Sequence, residues 1–372
     1  MIEHSLARAV HGGDVATAVE RYGGDAHSFL DFSANINPLG PPEAVLTFLR
    51  ECASDTRMLT AYPDPAYRSL RGAISARENV PVESLVVANG AAALFDAIVR
   101  ALRPRSCLVP SPSFSEYARA LHAARVPVLP FALEPEADFT LDPARFAEAL
   151  EQHRPDLCIL TNPHNPSGSL VKAPDLRAIV SQASALNVTV ALDEAFIDYT
   201  PDQTLTRDAP SAPNLIVIRS LTKFYGMPAL RVGYAVGPPQ MSRAISAQLP
   251  SWPISTIAAE AAVRALEDTV YPNQTRVLND QRRATLSQAL CALNFRCCPS
   301  HANFVLMRMS CPSTQLAHRL ANEHRILVRD CDSYDSLAGS GYLRIAVRNE
   351  ADNVRLLAAL TSLQSQGKLR GG

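Results

Sequence analysis

The chain has 372 residues, 47% of them hydrophobic, and 35 Lys plus Arg stand against 36 Asp plus Glu. That length supports one large cored domain plus a smaller one, and the balanced charge offers no global field to draw in nucleic acid or an anionic membrane, so any anion site must be local. The opening Met1-Ile-Glu-His-Ser-Leu-Ala-Arg8 lacks a signal-peptide apolar core, no apolar run approaches bilayer length, and the cysteines at 52, 107, 158, 291, 297, 298, 311 and 331 show no CxxC spacing; a cytoplasmic protein with no membrane span, zinc site or disulfide framework is expected.

Residues 1–40 read as an arm, because His11-Gly-Gly-Asp14 and Asp31-Phe-Ser-Ala-Asn-Ile-Asn-Pro-Leu-Gly40 are turn-rich and weakly periodic. His11 and Asn35 are possible donors to an anion; capping and turn chemistry is the plainer use of both. Helical spacing follows at 43–52 and 66–79, and the proline-rich Thr60-Ala-Tyr-Pro-Asp-Pro65 between them must project, carrying Tyr62.

From 84 to 193, apolar strands near 85–88, 106–109, 126–130, 157–160 and 188–192 alternate with helical stretches such as 91–103 and 173–186. That alternation predicts an α/β fold with a mostly parallel sheet covered by helices on both faces. Asn89-Gly90-Ala91-Ala92 opens a helix, so its free amides and positive dipole end can receive a phosphate without a charged side chain. Phe114, after the next strand, either stacks on a flat heteroaromatic ring or packs the helix that follows. Thr161-Asn-Pro-His-Asn-Pro-Ser-Gly168 holds two Asn-Pro pairs within five residues, and Asn165 belongs to the second. Asp193 ends the strand 188–192; a carboxylate there can keep a pyridine nitrogen protonated, or it is a solvated turn residue.

The apolar Leu215-Ile-Val-Ile218 reads as a buried strand running into Ser220-Leu-Thr-Lys-Phe-Tyr-Gly-Met-Pro-Ala-Leu-Arg231, where Gly226 and Pro228 break regular structure. Lys223 is thereby placed on a loop at a strand's end, where open α/β sheets bind ligands. Among Phe224, Tyr225 and Met227 its amine would be desolvated, its pKa lowered, and a Schiff base with an aldehyde made accessible. Ser220, Thr222 and Arg231 can hold a phosphate beside it. Taken alone, such a lysine is a solvated surface charge.

A strand at 232–236 completes this sheet, a helix at 255–267 follows, and a long helical pattern over 273–293 leads to a small α+β domain with strands at 303–309, 325–329 and 342–347 and helices near 313–324 and 350–363. Arg329 and Arg344 lie in otherwise apolar strands and need anionic partners, either internal carboxylates or a ligand.

The segment S-x-T-K-x-x-G-x-x-x-L-R-x-G-Y and the loop N-P-x-N-P-S-G resemble the fold-type I pyridoxal-phosphate (PLP) enzymes of the aminotransferase class I and II group. The order HGGD, DFSANINPLG, YPD, NG, NPHNPSG, DEAFID, ILVR, LRIAVR is similar to that of the L-threonine-O-3-phosphate decarboxylases of cobalamin biosynthesis. The resemblance implies a large PLP domain at 41–268 with a sheet of seven-stranded type, a small domain at 269–372, and an arm at 1–40 packing with the latter. It also implies a homodimer in which Tyr62 reaches the neighbour's cofactor phosphate. Lys223 would carry PLP, Asp193 hold its ring nitrogen, Asn165 donate to its ring oxygen and Phe114 stack on it. Gly90, Ala91, Ala92, Ser220, Thr222 and Arg231 would hold its phosphate. His11, Asn35 and Arg329 would hold a substrate phosphate and Arg344 the α-carboxylate, with Asn165 beside it. Two departures stand out: Ala91-Ala92-Ala93 where the family usually has a polar residue after the glycine, and Phe196 where many aminotransferases have a ring-oxygen tyrosine. The implied reaction is decarboxylation of L-threonine O-3-phosphate to (R)-1-aminopropan-2-yl phosphate and CO2, with histidinol-phosphate aminotransferase as the alternative. A PLP-sensing transcription regulator is disfavoured, since the resemblance begins near residue 11 and leaves no room for a DNA-binding module.

Overall fold

All six residues of the strand Leu215–Ser220 are buried. Leu215 and Val217 enter one core while Ile216 and Ile218 enter another on the opposite face, the pattern of a strand covered on both sides. The computed structural model describes residues 12–366. Its strands are β1 (Leu30–Asp31), β2 (Leu85–Asn89), β3 (Cys107–Ser111), β4 (Val128–Ala132), β5 (Leu157–Thr161), β6 (Thr189–Asp193), β7 (Leu215–Ser220), β8 (Val232–Val236), β9 (Arg296–Cys297), β10 (Phe304–Arg308), β11 (Ile326–Leu327), β12 (Arg329–Asp330) and β13 (Tyr342–Ala346).

Seven strands form one sheet in the order β2-β8-β7-β6-β5-β3-β4. The pairs from β7 to β4 are parallel, and β8 runs antiparallel to both β7 and β2. The expected mostly parallel sheet is therefore present, with one reversed strand. Helices Gly90–Leu102 and Ser115–Ala123 put Leu94, Phe95, Ile98, Tyr117 and Leu121 into the core on one face, and helices Pro143–His153 and Ala173–Ala185 put Phe146, Leu150, Leu176 and Ile179 into the other. Each fully buried side chain of this size contributes roughly 1.5–3 kcal/mol.

The second sheet, β12-β13-β10-β9, is antiparallel. Leu343, Ile345, Val305 and Met307 point into a core shared with helices Ser313–His324 and Glu350–Ser365. The alternate residues Phe304, Leu306 and Tyr342 join the large sheet's core instead. By strand alternation, Arg344, between Leu343 and Ile345, belongs to that inward face.

Several elements differ from the expectation. The segment read as a turn-rich arm contains a helix, Val15–Tyr22, capped by Asp14 and burying only Ala18; Val15, Ala18, Val19 and Tyr22 do fall at helical spacing, but over only eight residues next to the glycine pairs 12–13 and 23–24. The same segment supplies β1, which pairs in parallel with β11. The single strand expected at 325–329 is two short pieces: β11 bonds to β1, and β12 to β13. The helix expected from 66 starts at Arg68, because Asp64 caps the backbone N–H groups of Ala66 and Arg68 and Tyr67 takes a left-handed φ of 47°. The strand expected at 126–130 starts two residues later, at Val128, beyond Pro127.

Candidate active site

At the C-terminal ends of the parallel strands lies a cavity of about 630 Å³. It gathers Asn35, Ala91, Ala92, Phe114, Asn165, Asp193, Ser220, Thr222, Lys223, Arg231, Arg329 and Arg344 from segments spread over three hundred residues. Gly90 sits just behind this lining. Tyr62 does not reach the cavity of its own chain; it is 78% exposed and stacks on Trp252 at 4.6 Å. His11 lies outside the described residues.

Lys223 is held where the β7 loop turns back toward β8. Its Nζ donates to Thr222 Oγ1 at 2.7 Å, and Phe224, Tyr225 and Met227 around it are buried as expected. The loop is pinned from the N-terminal side, where Asn37 N donates to Lys223 O and Asn37 Nδ2 to Phe224 O at 2.8 Å. Gly226 is required here, because it has φ of +61° and a Cβ would meet the Gly40 backbone at 2.7 Å. Burial lowers the amine's pKa to about 8; the Arg231 and Arg344 guanidiniums add to the effect and Asp193 opposes it.

Beside the lysine is an anion cradle. The helix Gly90–Leu102 begins without a side-chain cap from Asn89, leaving its first-turn amides open at the positive dipole end. Ser220 Oγ and Thr222 Oγ1 lie 2.7 Å apart. Arg231 is packed so closely that a Cβ on Gly90 would sit 2.5 Å from its Nη2. Among the described residues Arg231 donates to a backbone carbonyl, Pro228 O at 3.2 Å, and to no carboxylate. A dianionic phosphate fits this set of amides, hydroxyls and one uncompensated guanidinium. The alanines at 91–93 leave the backbone donors in place.

Asp193 ends β6 almost fully buried. Its Oδ2 accepts from the Tyr117 hydroxyl and its Oδ1 from Ala195 N at 2.9 Å. Burial raises its pKa, while Tyr117, the Ala195 amide and Lys223 pull the other way. Tyr117 also bonds Thr161 Oγ1 at 2.8 Å and meets Phe114 edge to face at 5.6 Å. Its role was not evident from the sequence, although it lies on Phe114's side of the helix, three residues on. Asn165 is presented by a loop that His164 clips to the Phe114 segment, with Nδ1 to Ser167 Oγ at 2.7 Å and Nε2 to Pro112 O at 2.9 Å. Burial pushes His164 down to about 4, so it is a neutral strut. Asn165 Oδ1 accepts from Arg344 Nη1 at 2.6 Å, which turns the NH2 of the amide away from the arginine. A pyridine ring between Phe114 and the lysine, with Asp193 at its nitrogen and Asn165 at its oxygen, fits these donors and acceptors. Phe196 lines the same cavity, packed edge to face on Phe304 at 5.1 Å, and offers no donor.

At the other end, Arg329 of β12 is directly opposite Arg344 of β13, and both are 7% exposed. Two like charges placed opposite each other repel. Arg344 is met only by neutral acceptors among the described residues, Asn165 Oδ1 and Ser33 O, and its Nε has no partner. Burial correspondingly lowers its pKa. Arg329 donates to Ser333 Oγ at 2.8 Å and lies over the Tyr334 ring. Asn35 is buried nearby with its Oδ1 unsatisfied. Ser33 and Tyr334, both lining the cavity, were not singled out in the sequence.

Residues 27–360 match the family described as aminotransferase class I and II. The chain is 36% identical over 365 residues to the threonine-phosphate decarboxylase of Salmonella typhimurium, covering 96% of this chain and 98% of that protein. Among solved structures, histidinol-phosphate aminotransferase from Clostridium acetobutylicum superposes with a TM-score of 0.83 at 28% identity, covering 91% of this chain and 99% of that one. L-threonine-O-3-phosphate decarboxylase from Porphyromonas gingivalis does so with a TM-score of 0.76 at 25% identity, covering 90% and 99%. With residues 27–360 matching the family model and a buried lysine and aspartate lining one cavity at the ends of a mostly parallel sheet, the protein belongs to the aminotransferase class I and II family of PLP-dependent enzymes.

Proposed function

We propose that this enzyme decarboxylates L-threonine O-3-phosphate, releasing CO2 and 1-aminopropan-2-yl phosphate. The observation that carries the reading is the arginine pair, Arg329 opposite Arg344, buried at the end of the cavity away from the cradle for the cofactor's phosphate. Two adjacent guanidiniums suit a substrate with two anionic groups, an α-carboxylate for Arg344 and a phosphoryl group for Arg329 with Asn35 beside it. Histidinol phosphate has a phosphate and no carboxylate, so in an aminotransferase the Arg344 site would serve the dicarboxylate co-substrate instead. The likeness to the Salmonella decarboxylase supports the same choice.

The chemistry divides among the chain's own residues. Bound PLP supplies an electron sink for the bond broken at Cα. Lys223, with an amine near pKa 8, is neutral often enough at physiological pH to act as the nucleophile that holds the cofactor. Asp193, fixed by Tyr117 and the Ala195 amide, presents its remaining lone pairs to a protonated ring nitrogen. Phe114 would cover one face of the ring and Asn165 would donate to its oxygen. Arg344 and Arg329 pin the substrate at both ends, so rotation about its Cα bonds is set by contacts remote from the bond that breaks. Lys223 Nζ, which lines the cavity, would also be the group that holds the proton returned to Cα.

We also propose a homodimer in which Tyr62, exposed on its projecting turn, enters the partner's cavity near the cofactor phosphate. No helix among the described residues is long and apolar enough to cross a membrane. The deciding assay offers the holoenzyme phosphothreonine alone and, separately, histidinol phosphate with 2-oxoglutarate. CO2 release with no 2-oxo acid consumed is expected in the first. Brisk glutamate formation in the second without CO2 in the first would make the protein an aminotransferase and leave the Lys223 site standing.

A further inference from the structure

The wall between the two arginines contains a polar group that the proposed chemistry leaves unused. Tyr334 follows the short turn Cys331–Ser333, its amide donating to Cys331 O at 3.0 Å. Asp330 holds that turn, accepting from Asp332 N at 3.1 Å and from Ser313 Oγ at 2.8 Å. The ring is thereby fixed in the cavity wall at 8% exposure, with the Arg329 guanidinium 5.5 Å from its centroid. Burial raises the phenol's pKa, Arg344 and Arg329 beside it act the other way, and Cys331 adds to the rise. The hydroxyl therefore keeps its proton at any working pH.

A phenol has one proton to donate. Its charged neighbours, Arg329 and Arg344, carry donors only. The Arg329 side chain hydrogen-bonds the phenol oxygen, which uses the hydroxyl as an acceptor and leaves its own proton to be given to a group in the cavity that Tyr334 lines. A ligand oxygen attracted by the two arginines is a suitable acceptor for that proton. We propose that Tyr334 is a substrate-binding and specificity residue whose hydroxyl donates to the phosphoryl group held by Arg329. The assignment rests on reading Arg329 as the phosphoryl site. It gives that site a neutral donor, so part of its preference for a phosphorylated amine comes from direction as well as from charge.

Tyr334→Phe keeps the ring under Arg329 and removes only the hydroxyl. Binding of O-phospho-L-threonine, histidinol phosphate and unphosphorylated L-threonine to the wild-type and variant holoenzymes can be followed by the visible absorbance of the bound cofactor. The variant should bind whichever phosphorylated ligand the wild type accepts roughly tenfold more weakly or worse. Threonine binding, PLP affinity and the unfolding midpoint should be unchanged. Unaltered affinity for the phosphorylated ligand overturns the proposal, and so does an equal loss with threonine or with PLP, which would mark a packing role. If the wild type turns over histidinol phosphate and ignores phosphothreonine, the decarboxylase reading falls, while Tyr334 is still judged by its effect on histidinol phosphate.

Discussion

Lys223→Met leaves an unbranched side chain one atom shorter and removes its charge, and it should stabilise the cofactor-free protein while abolishing activity. In the fold, burial and the nearby Arg231 and Arg344, opposed by Asp193, take the amine from an ordinary 10.5 to about 8. Between those values the unfolded chain binds a proton that the folded chain does not, so stability rises with pH across that window; below about 8 the whole penalty is present. A gap of about 2.5 pH units corresponds to roughly 3 kcal/mol at about 1.36 kcal/mol per unit. The lysine is partly open to the cavity and bonded to Thr222, which cuts the expected gain at pH 7 to roughly 1–2 kcal/mol. Urea unfolding of PLP-free wild type and variant, run at steps from pH 6.5 to 10, measures this directly. The variant's midpoint should be higher at pH 7, and the difference should shrink as the wild-type lysine loses its proton. A variant no more stable at pH 7, or a gain that does not fade with rising pH, would refute the picture of a cation held at a cost in a closed site. With PLP added, the same variant should show no lysine-linked absorbance band and almost no turnover.

Asp193→Asn should retain PLP yet lose about a hundredfold or more in rate, because the ring nitrogen is no longer held protonated; turnover close to wild type would remove that role. Gly233→Ala would place a Cβ 2.7 Å from Ala91 N and 2.8 Å from the Gly90 carbonyl carbon, both backbone atoms at the opening of the phosphate cradle. A loss of roughly 1–3 kcal/mol in chemical unfolding is expected, together with weaker PLP binding by titration; unchanged affinity would detach the cradle from that helix start. Mixing inactive Lys223→Ala with weakened Tyr62→Ala subunits should yield hybrid dimers with one intact composite site, and mixtures no more active than the parent proteins would rule out a shared site.

The middle of the large sheet was legible because its strands are buried on both faces and read as apolar runs: Val232–Val236 appears where hydrophobicity placed it, and the run 215–218 proves to be the first four residues of Leu215–Ser220. The helix Val15–Tyr22 and the pair of two-residue strands β1 and β11 were not, since tertiary contacts hold them in place. Leu30 N donates to Arg325 O and Phe32 N to Leu327 O across nearly the whole sequence. Similarly, Lys223, Asp193 and Asn165 stand in recognisable local motifs, whereas Tyr117 acquires its place only by meeting Asp193, 76 residues away, through folding. The pairing of Arg329 with Arg344 is a matter of strand register. Each arginine was noticeable as a charge in an apolar strand, and their adjacency was not.

The two ends of the cavity are built from different parts of the chain. Asp193, Ser220, Thr222 and Lys223 come from the strand ends of the large sheet and the loop after it, whereas Arg329 and Arg344 come from the second sheet, with Asp31, Ser33 and Asn35 beside them in the cavity wall. Residues 31–35 form a bridge. The second sheet grips them through Ala346 N to Phe32 O, Arg344 Nη2 to Ser33 O and Asn303 Nδ2 to Asn35 O. Two residues further on, Asn37 reaches the carbonyls of Lys223 and Phe224. On the proposed reading, a substrate anion held by Arg329 and Asn35 would be referenced through a few hydrogen bonds to the Lys223 loop. Which bond at the reacting carbon is weakened depends on one rotation, and a reaction that depends on orientation is sensitive to displacements of about 1 Å. On this reading, the bond that breaks is selected in the part of the chain that would hold the substrate's far end, not at the lysine.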